Sequence, residues 1–435
     1  MSFLTPPRGP DERRTPPPAE GGSPRITALV VTYNAVRLAP SLIETLGRLE
    51  SLATPLIVDN ASSDGTADML ERALMPGMLV RSGWNGGFGY ANNLGLMRVR
   101  TPYTLLLNAD ARIGPESLSA LEARLDASPG TAAVQPRLGL WEWPEVTAGR
   151  GLGITAGLRG FDLGFMRFEP EPGNPGPRPV PGVGAAVSLW RTRVLRSVGG
   201  FDERFFMYFE DVDLCLRTAA AGYSFELLPG AWGLHMVGSS SRRSEAEAWE
   251  TRSAALLARK YLGGRAARMP VRTAFGEFRD IARCALRGRP LFRRLGAFVS
   301  AVLEPSIQPE RIPRLPAPAP TDLPSIRPGR PFHLDRGGTV TAGPGWSASG
   351  SGVSFSGYGA MSVRSPGTVS ILLESDIPHT GRLWLGAEPG PAFHLPSGRT
   401  LVRLPVPAGR SYLALDDRVD MPTVRMLYFD FEGRE

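Results

Sequence analysis

The sequence predicts an α/β domain on an open, mostly parallel sheet flanked by helices, then a basic helical segment and a C-terminal all-β sandwich. Three observations carry this. Between Ile26 and about Gly130, short apolar runs alternate with amphipathic stretches, the pattern of βαβ units. Residues 265–303 hold nine arginines and two acidic residues interleaved with phenylalanine and leucine. From Phe332 onward the helical period gives way to β-type runs about every ten residues. A length of 435 residues fits two or three domains at roughly 150 residues each.

The elements follow in chain order. Seven prolines in residues 1–24 make the start an extended, solvated tail. The run ITALVVTYN predicts a strand, and Leu42, Leu46 and Leu49 mark one face of the helix after it. PLIVDN, MLVRS and TPYTLLLNAD predict three further strands, and Leu118, Leu121 and Leu125 another helix. Residues 141–182 are rich in Gly and Pro and read as a long surface loop, of the kind that serves as a lid or substrate site. AAVSLW, a helix containing FEDVDLCLRTAAAG, the strand YSFELLP and a helix from about Ser244 to Leu262 complete a domain spanning 25–264. The segment 265–304 reads as basic amphipathic helix, fit either to pack on that domain or to lie on an anionic membrane surface. Nine prolines make 305–331 a stiff linker, and 332–435 reads as a sandwich of seven to nine strands.

Composition narrows the function. Lys260 is the only lysine, which removes the P-loop and leaves no other position for Schiff-base chemistry. A net charge of +7 without a basic arm bearing interleaved aromatics gives no expectation of a nucleic acid partner. Cys215 and Cys284 are the only cysteines, so neither a disulfide framework nor a cysteine zinc site is indicated and a reducing compartment is expected. The N-terminus has no apolar core of a signal peptide, and no 18-residue apolar run occurs. The expected location is the cytoplasm, free or peripheral on the cytoplasmic membrane face.

Five segments sit where open α/β sheets place ligands, at the carboxyl ends of strands. Thr32, Tyr33 and Asn34 form a polar strand end with an aromatic suited to stacking on a base. Asp59 and Asn60 end the next strand, followed by a Ser62-Ser63-Asp64-Gly65 turn; Asp59 is placed to accept from a base imide or a ribose hydroxyl. Gly86, Gly87 and Gly89 allow backbone to approach a ligand, with Asn92 and Asn93 on the helix behind them. The spacing is not that of a dinucleotide fingerprint, because Asn92 stands at the sixth position. Asn108 and Asp110 lie two residues apart at a strand end, an oxygen-donor edge suited to Mg²⁺ or Mn²⁺. Glu210, Asp211 and Asp213 open a helix, where the dipole alone favours acidic residues. His235 follows a strand and is either structural or a further metal ligand.

VTYN, VDNASSDGT, NGGFGYANN, LLNAD and GGFDERFFMYFEDVDLCLR together resemble, in order and spacing, the family 2 glycosyltransferases of the GT-A fold, most closely their rhamnosyltransferase-like branch. The resemblance covers residues 25–262. It implies nucleotide contacts from Thr32, Tyr33, Asn34, Asp59 and Asn60, a divalent metal on Asp110 with Asn108 adjacent, and a catalytic base in Glu210-Asp211, on Asp211. Asn-Ala-Asp stands where many relatives have Asp-x-Asp or Asn-Pro-Asp, which shifts metal affinity onto Asp110 and His235. The implied activity is inverting, metal-dependent transfer of a sugar, rhamnose among the candidates, from a nucleoside-diphosphate donor to a hydroxyl of a polysaccharide or lipid-linked glycan. The Trp141–Gly182 loop and Gly182–Ala185 would shape the sugar side, and Arg242 and Arg243 would close over the diphosphate. Two other readings stay open: a sugar-nucleotide nucleotidyltransferase, though the first strand ends in TYNA without a glycine-rich basic loop, and a catalytically silent sugar-binding scaffold led by the β region.

Overall fold

The computed structural model describes residues 24–155, 158–167, 169, 176–237, 243–262 and 299–301, and the strands lying between Phe332 and Gly433. The chain divides into two compact units. The first comprises Met1–Arg137, Arg150–Leu163 and Pro175–Pro318; the second comprises Leu138–Gly149, Gly164–Asn174 and Ala319–Glu435.

The strands of the first half are β1 (Ile26–Thr32), β2 (Ala53–Asp59), β3 (Leu79–Arg81), β4 (Tyr103–Asn108), β5 (Ala111–Ile113), β6 (Thr131–Leu140), β7 (Thr147–Gly149), β8 (Leu152–Ile154), β9 (Gly160–Asp162), β10 (Arg178–Val180), β11 (Val187–Arg191) and β12 (Ser224–His235). The helices are α1 (Ala39–Arg48), α2 (Thr66–Ala73), α3 (Phe88–Leu96), α4 (Pro115–Ala127), α5 (Thr192–Ser197), α6 (Glu210–Ala220) and α7 (Arg243–Leu262). The main sheet runs β10-β12-β6-β11-β4-β1-β2-β3, with β5 paired to β12. Pairing is parallel across β4-β1-β2-β3, as the alternating pattern predicts. Beyond β4 the sheet turns antiparallel, at β11 with β4, β11 with β6 and β10 with β12.

The helices lie where their apolar faces dictate. Leu118, Leu121 and Leu125 of α4 are fully buried, each contributing about 1.5–3 kcal/mol, and α4 packs on β11 and β12. Pro115 opens that helix, where its missing N–H costs nothing. Helix α3 lies on β1 and β2 through Gly95, where a Cβ would come within 2.2 Å of Leu29 Cδ1 and 3.0 Å of Val58 Cγ2. Strand β4 is buried along its length, so its Leu105, Leu106 and Leu107 read as a continuous apolar run.

The stretch expected as a surface loop is corrected by the structure. Residues 141–182 carry the short strands β7 to β10, and Leu152, Leu163 and Val180 belong to the buried core. Gly and Pro there punctuate strands of three residues, too short to show period-2 alternation. In the second unit, β7 pairs antiparallel with the end of β6 through Leu138 and Gly149.

The strands between Phe332 and Gly433 form two antiparallel sheets, one of six and one of five strands. Among the described residues eleven strands lie there where seven to nine are expected, and strands of two to four residues such as Phe332–His333 and Val340–Ala342 carry too little pattern to register. Most of 265–304 and all of the 305–331 linker lie outside the described residues, as does the 1–24 tail apart from Pro24. Of 299–301, Ala301 is buried in the core of the first unit and its carbonyl accepts from Arg259 of α7 at 2.6 Å.

Candidate active site

The parallel strands deliver two groups of residues to their carboxyl ends. In the first group, register sets Thr32 beside Asp59 and Val31 beside Asn108. Thr32 Oγ1 donates to Asp59 Oδ2 at 3.1 Å, and Ser62 donates twice more, its hydroxyl to Oδ2 at 2.6 Å and its backbone N–H to Oδ1 at 2.9 Å. Asn34, in the left-handed region at φ 48, accepts from Ser63 N–H at 2.8 Å, while its own N–H donates to Ser62 Oγ at 2.8 Å. Asn60 Nδ2 donates to Asn85 Oδ1 at 2.8 Å, and Asn60 Oδ1 accepts from Gly86 N–H at 3.2 Å. The polar residues predicted for the nucleotide thus brace one another into a rigid rim. Tyr33 stands out of it, 48% exposed. Asp64 fastens the same rim: burial raises its pKa, but donation from the Thr66 hydroxyl and the Val36 and Thr66 N–H groups outweighs this and holds it below the ordinary value.

Asn92 and Asn93 do a different job. Asn92 Nδ2 turns back to Phe88 O at 3.0 Å, while Asn93 holds the loop before α6, donating to Phe201 O at 2.9 Å and to Glu203 Oε1 at 2.9 Å and accepting from Phe201 N–H at 2.8 Å. Arg242 lies outside the described residues, and of Arg243 only the backbone, opening α7, is described.

The second group gathers around Asp110. After β4 the chain turns through Ala109 and Asp110 into β5, which pairs with the end of β12 so that His235 lies opposite Ala111. Met236 N–H donates to Asp110 O at 2.9 Å, and His235 Nε2 stands 3.4 Å from Asp110 Oδ1. Burial alone lowers the His235 pKa, but the Asp110 hydrogen bond and charge, helped by Asp162, leave it above the ordinary value. Asn108 Oδ1 is buried and accepts no hydrogen bond.

Helix α6 brings Glu210 and Asp211 to the same end of the sheet. Tyr208 and Phe209 enter it with φ of 66 and 62, a left-handed pair that non-glycine residues adopt only under constraint. The constraint comes from α7 and α3: Ser253 Oγ donates to Met207 O at 2.9 Å, Phe206 stacks on Trp249 at 4.3 Å, and Phe88 N–H donates to Phe206 O at 2.9 Å. The Gly182–Ala186 turn closes the floor, with Gly184 N–H on Gln135 Oε1 at 2.8 Å and Asn108 N–H on Ala186 O at 2.9 Å. Gly182 abuts the helix, where a Cβ would lie 2.9 Å from Cys215 Sγ.

The two carboxyls differ in environment. Glu210 is buried with Oε2 unpartnered; burial, then the Asp211 charge, push its pKa up to about 8. Burial and the neighbouring charge both favour its protonated form. Asp211 is half-buried; burial raises it, while backbone N–H donation from Val212, at 2.8 Å, and from Ala185 restrains the rise. Asp213 points the other way, into a buried ion network: Lys260 Nζ at 2.7 Å, Arg217 Nε at 2.8 Å and the Tyr261 hydroxyl at 2.9 Å. This agrees with its position about 200° around the helix from Asp211.

Sequence reasoning missed Asp162 and Gln135. Asp162 ends β9 and is exposed to water; partial enclosure, opposed by His235 and reinforced by Asp211, raises its pKa above the ordinary value. No periodicity marks a single carboxylate in a Gly-rich stretch. Gln135 is a fully buried polar residue in a strand, a signal that was available.

Two family models match: Glycosyl transferase family 2 over residues 27–172 and Glycosyl transferase family group 2 over residues 103–303. The N-acetylglucosaminyl-diphospho-decaprenol L-rhamnosyltransferase of Mycobacterium tuberculosis is 29% identical over 249 residues, 51% of this chain and 79% of that protein. The rhamnosyltransferase WbbL of Escherichia coli is 41% identical over 58 residues, 13% of this chain and 22% of that protein. Among solved structures, a mannosyltransferase from Pyrobaculum calidifontis in complex with GDP-Man and Mn²⁺ superposes with a TM-score of 0.40 at 17% identity, covering 65% of this chain and 70% of that one, a likeness too distant to carry the site. The family models and these relatives identify the flanked α/β sheet as that of a glycosyltransferase. Residues 27–303 match the glycosyltransferase family 2 models, and the relatives the chain resembles include rhamnosyltransferases.

Proposed function

We propose that the chain is an inverting glycosyltransferase that moves a deoxyhexose of the rhamnose type from a nucleoside-diphosphate donor to a hydroxyl of a lipid-linked glycan or polysaccharide. What supports this is the Asp110–His235 pair together with the Gly182–Ala186 turn, which bonds Asn108 N–H through Ala186 O and lies against the Asp211 carboxylate. The donor's nucleotide would lie on the Thr32–Asn60 rim with its base against Tyr33. Asp211, half-buried where Glu210 is buried, accepts the proton of the attacking hydroxyl. A single in-line displacement follows, which inverts the anomeric carbon. Glu210, holding its proton, keeps a second negative charge away from the base.

Among the described residues no three His, Cys, Asp or Glu side chains cluster with metal-ligand spacing. Mg²⁺ and Mn²⁺ sites at diphosphates need fewer, since one or two protein ligands are completed by substrate oxygens and water. Asp110 and His235, beside the unpartnered Asn108 Oδ1, fit that need. A cation held there would neutralise charge on the departing diphosphate. The likeness to the N-acetylglucosaminyl-diphospho-decaprenol L-rhamnosyltransferase favours a polyprenyl-diphosphate-linked acceptor. The arginine- and phenylalanine-rich 265–304 would hold the enzyme to an anionic membrane face.

The test is incubation of the pure chain with a panel of nucleoside-diphosphate sugars, reading donor hydrolysis, thermal protection and the configuration of the product. Asp211→Asn is expected to keep donor affinity by calorimetry while transfer falls by about 10² to 10⁴. Normal transfer by Asp211→Asn, or a retained anomeric configuration, rejects the mechanism.

A further inference from the structure

Asp162 has no part in the chemistry above. Its position is built. It ends β9 opposite Leu152 of β8, and the hairpin is anchored by Leu152 N–H on Gly182 O at 2.8 Å and Leu163 N–H on Gly151 O at 2.9 Å. Gly160 presses the hairpin onto the first turn of α6, where a Cβ would fall 2.5 Å from Val212 Cγ2 and 3.4 Å from Phe209 Cδ1. Only glycine permits that approach without displacing the buried Val212.

The charges of Asp211 and His235 both reach the Asp162 carboxylate, yet it accepts no hydrogen bond from the described residues and is open to water. With a like-charged neighbour and no donor among the described residues, it is an acceptor whose natural complement is a neutral O–H group. Nucleotide phosphates would be repelled, whereas sugar hydroxyls donate well to a carboxylate, with O–H···O⁻ distances of about 2.5–2.7 Å. Resting on the transferase reading, we infer that Asp162 reads a sugar hydroxyl beside the reacting centre, accepting its hydrogen bond and so selecting which sugar is used. The hydroxyl belongs to the donor sugar or to the acceptor, and the two sources separate kinetically.

The experiment compares the full-length wild type with Asp162→Asn and Asp162→Ala, the first nearly isosteric so that the hairpin is retained. Donor dissociation constants, donor hydrolysis, and kcat and KM for the acceptor are measured, each also with the deoxy analogue of the sugar concerned. Removing a hydrogen bond to a charged group costs about tenfold or more. A rise of that size in donor Kd with slower hydrolysis assigns the donor sugar, and a rise in acceptor KM alone assigns the acceptor. In either case the variant no longer distinguishes the parent sugar from its deoxy analogue. The inference is overturned if both constants stay within about twofold of wild type, or if Mn²⁺ alone binds tenfold more weakly to the variants, which makes Asp162 a metal ligand. A wild type that neither binds nor turns over any nucleotide sugar rejects the proposed function and this inference together, whereas an active wild type with unaffected variants rejects this inference alone.

Discussion

Glu210 keeps a proton to about pH 8 because its Oε2 is buried without a partner and the Asp211 carboxylate lies beside it. An unfolded glutamate releases its proton near pH 4.3, so between those values the folded chain binds more protons than the unfolded one. Stability from this group is therefore full below pH 4.3 and is lost as pH rises toward 8. Glu210→Gln, neutral at every pH, is expected to melt with the wild type at pH 4–5 and above it at pH 8; equal melting curves at pH 8 reject a buried neutral carboxyl. Asp202 works with the reverse sign: burial opposes its ionisation, but Arg204 and Lys260 depress its pKa, so its contribution is present above the ordinary aspartate range and fades in acid. The metal pair gives a second expectation. Chelation should abolish transfer, Asp110→Ala should do the same, and His235→Ala should weaken metal dependence less, all read from rates against Mn²⁺ concentration. These carboxylates were legible in the sequence because strand ends and a helix start carry positional signals. Asp162 was not, since its neighbours Asp211 and His235 are distant along the chain and only folding brings their charges to it.

Helices α6 and α7 are joined by the sole lysine of the chain. Lys260 Nζ lies 2.9 Å from Asp202 Oδ2 and 2.7 Å from Asp213 Oδ1, and it is 2% exposed. Desolvating such a network offsets much of its Coulombic gain, so it adds little net stability, but removing one partner strands the others as buried charge, at a cost of about 3–5 kcal/mol. Lys260→Met is accordingly expected to lower the urea midpoint by that equivalent and to loosen the 202–209 loop, because Asp202 sits in that loop and Asp213 on the helix it feeds. Unchanged urea unfolding would show that the network is not held as the distances imply. In the sequence, Asp213 looks like one more first-turn acid beside Asp211. Only helical geometry, turning it about 200° away, separates the ion-network residue from the base. The short strands β8 to β10 were illegible for another reason: three residues cannot display alternation.

The parallel half of the sheet was readable at length because apolar runs and amphipathic helices alternate with strong period, whereas the partition of the molecule was not, since it joins stretches far apart in sequence. Leu138–Gly149 and Gly164–Asn174 group with Ala319–Glu435, a link that no local composition announces. The arginine-rich 265–304 belongs in sequence to the matched family region, which extends to residue 303. Liposome sedimentation of the whole chain is expected to show binding to anionic vesicles at low salt that weakens as salt screens it over about 10 Å at 0.1 M. No binding at low salt would assign the segment to the fold alone. A chain ending at Glu304 tests the partition itself. Most of the first unit, including every residue of the Asp110, Asp162, Asp211 and His235 group, is retained, so cooperative unfolding and nucleotide-sugar binding are expected to survive. The 138–149 and 164–174 stretches lose the remainder of their unit, so limited proteolysis of the shortened chain should cut within 138–174 where the full chain resists. If the shortened chain instead aggregates or loses donor binding, the C-terminal sheets are integral to the transferase fold; if 138–174 stays protected, those stretches owe their order to the first unit and the division between the units lies elsewhere.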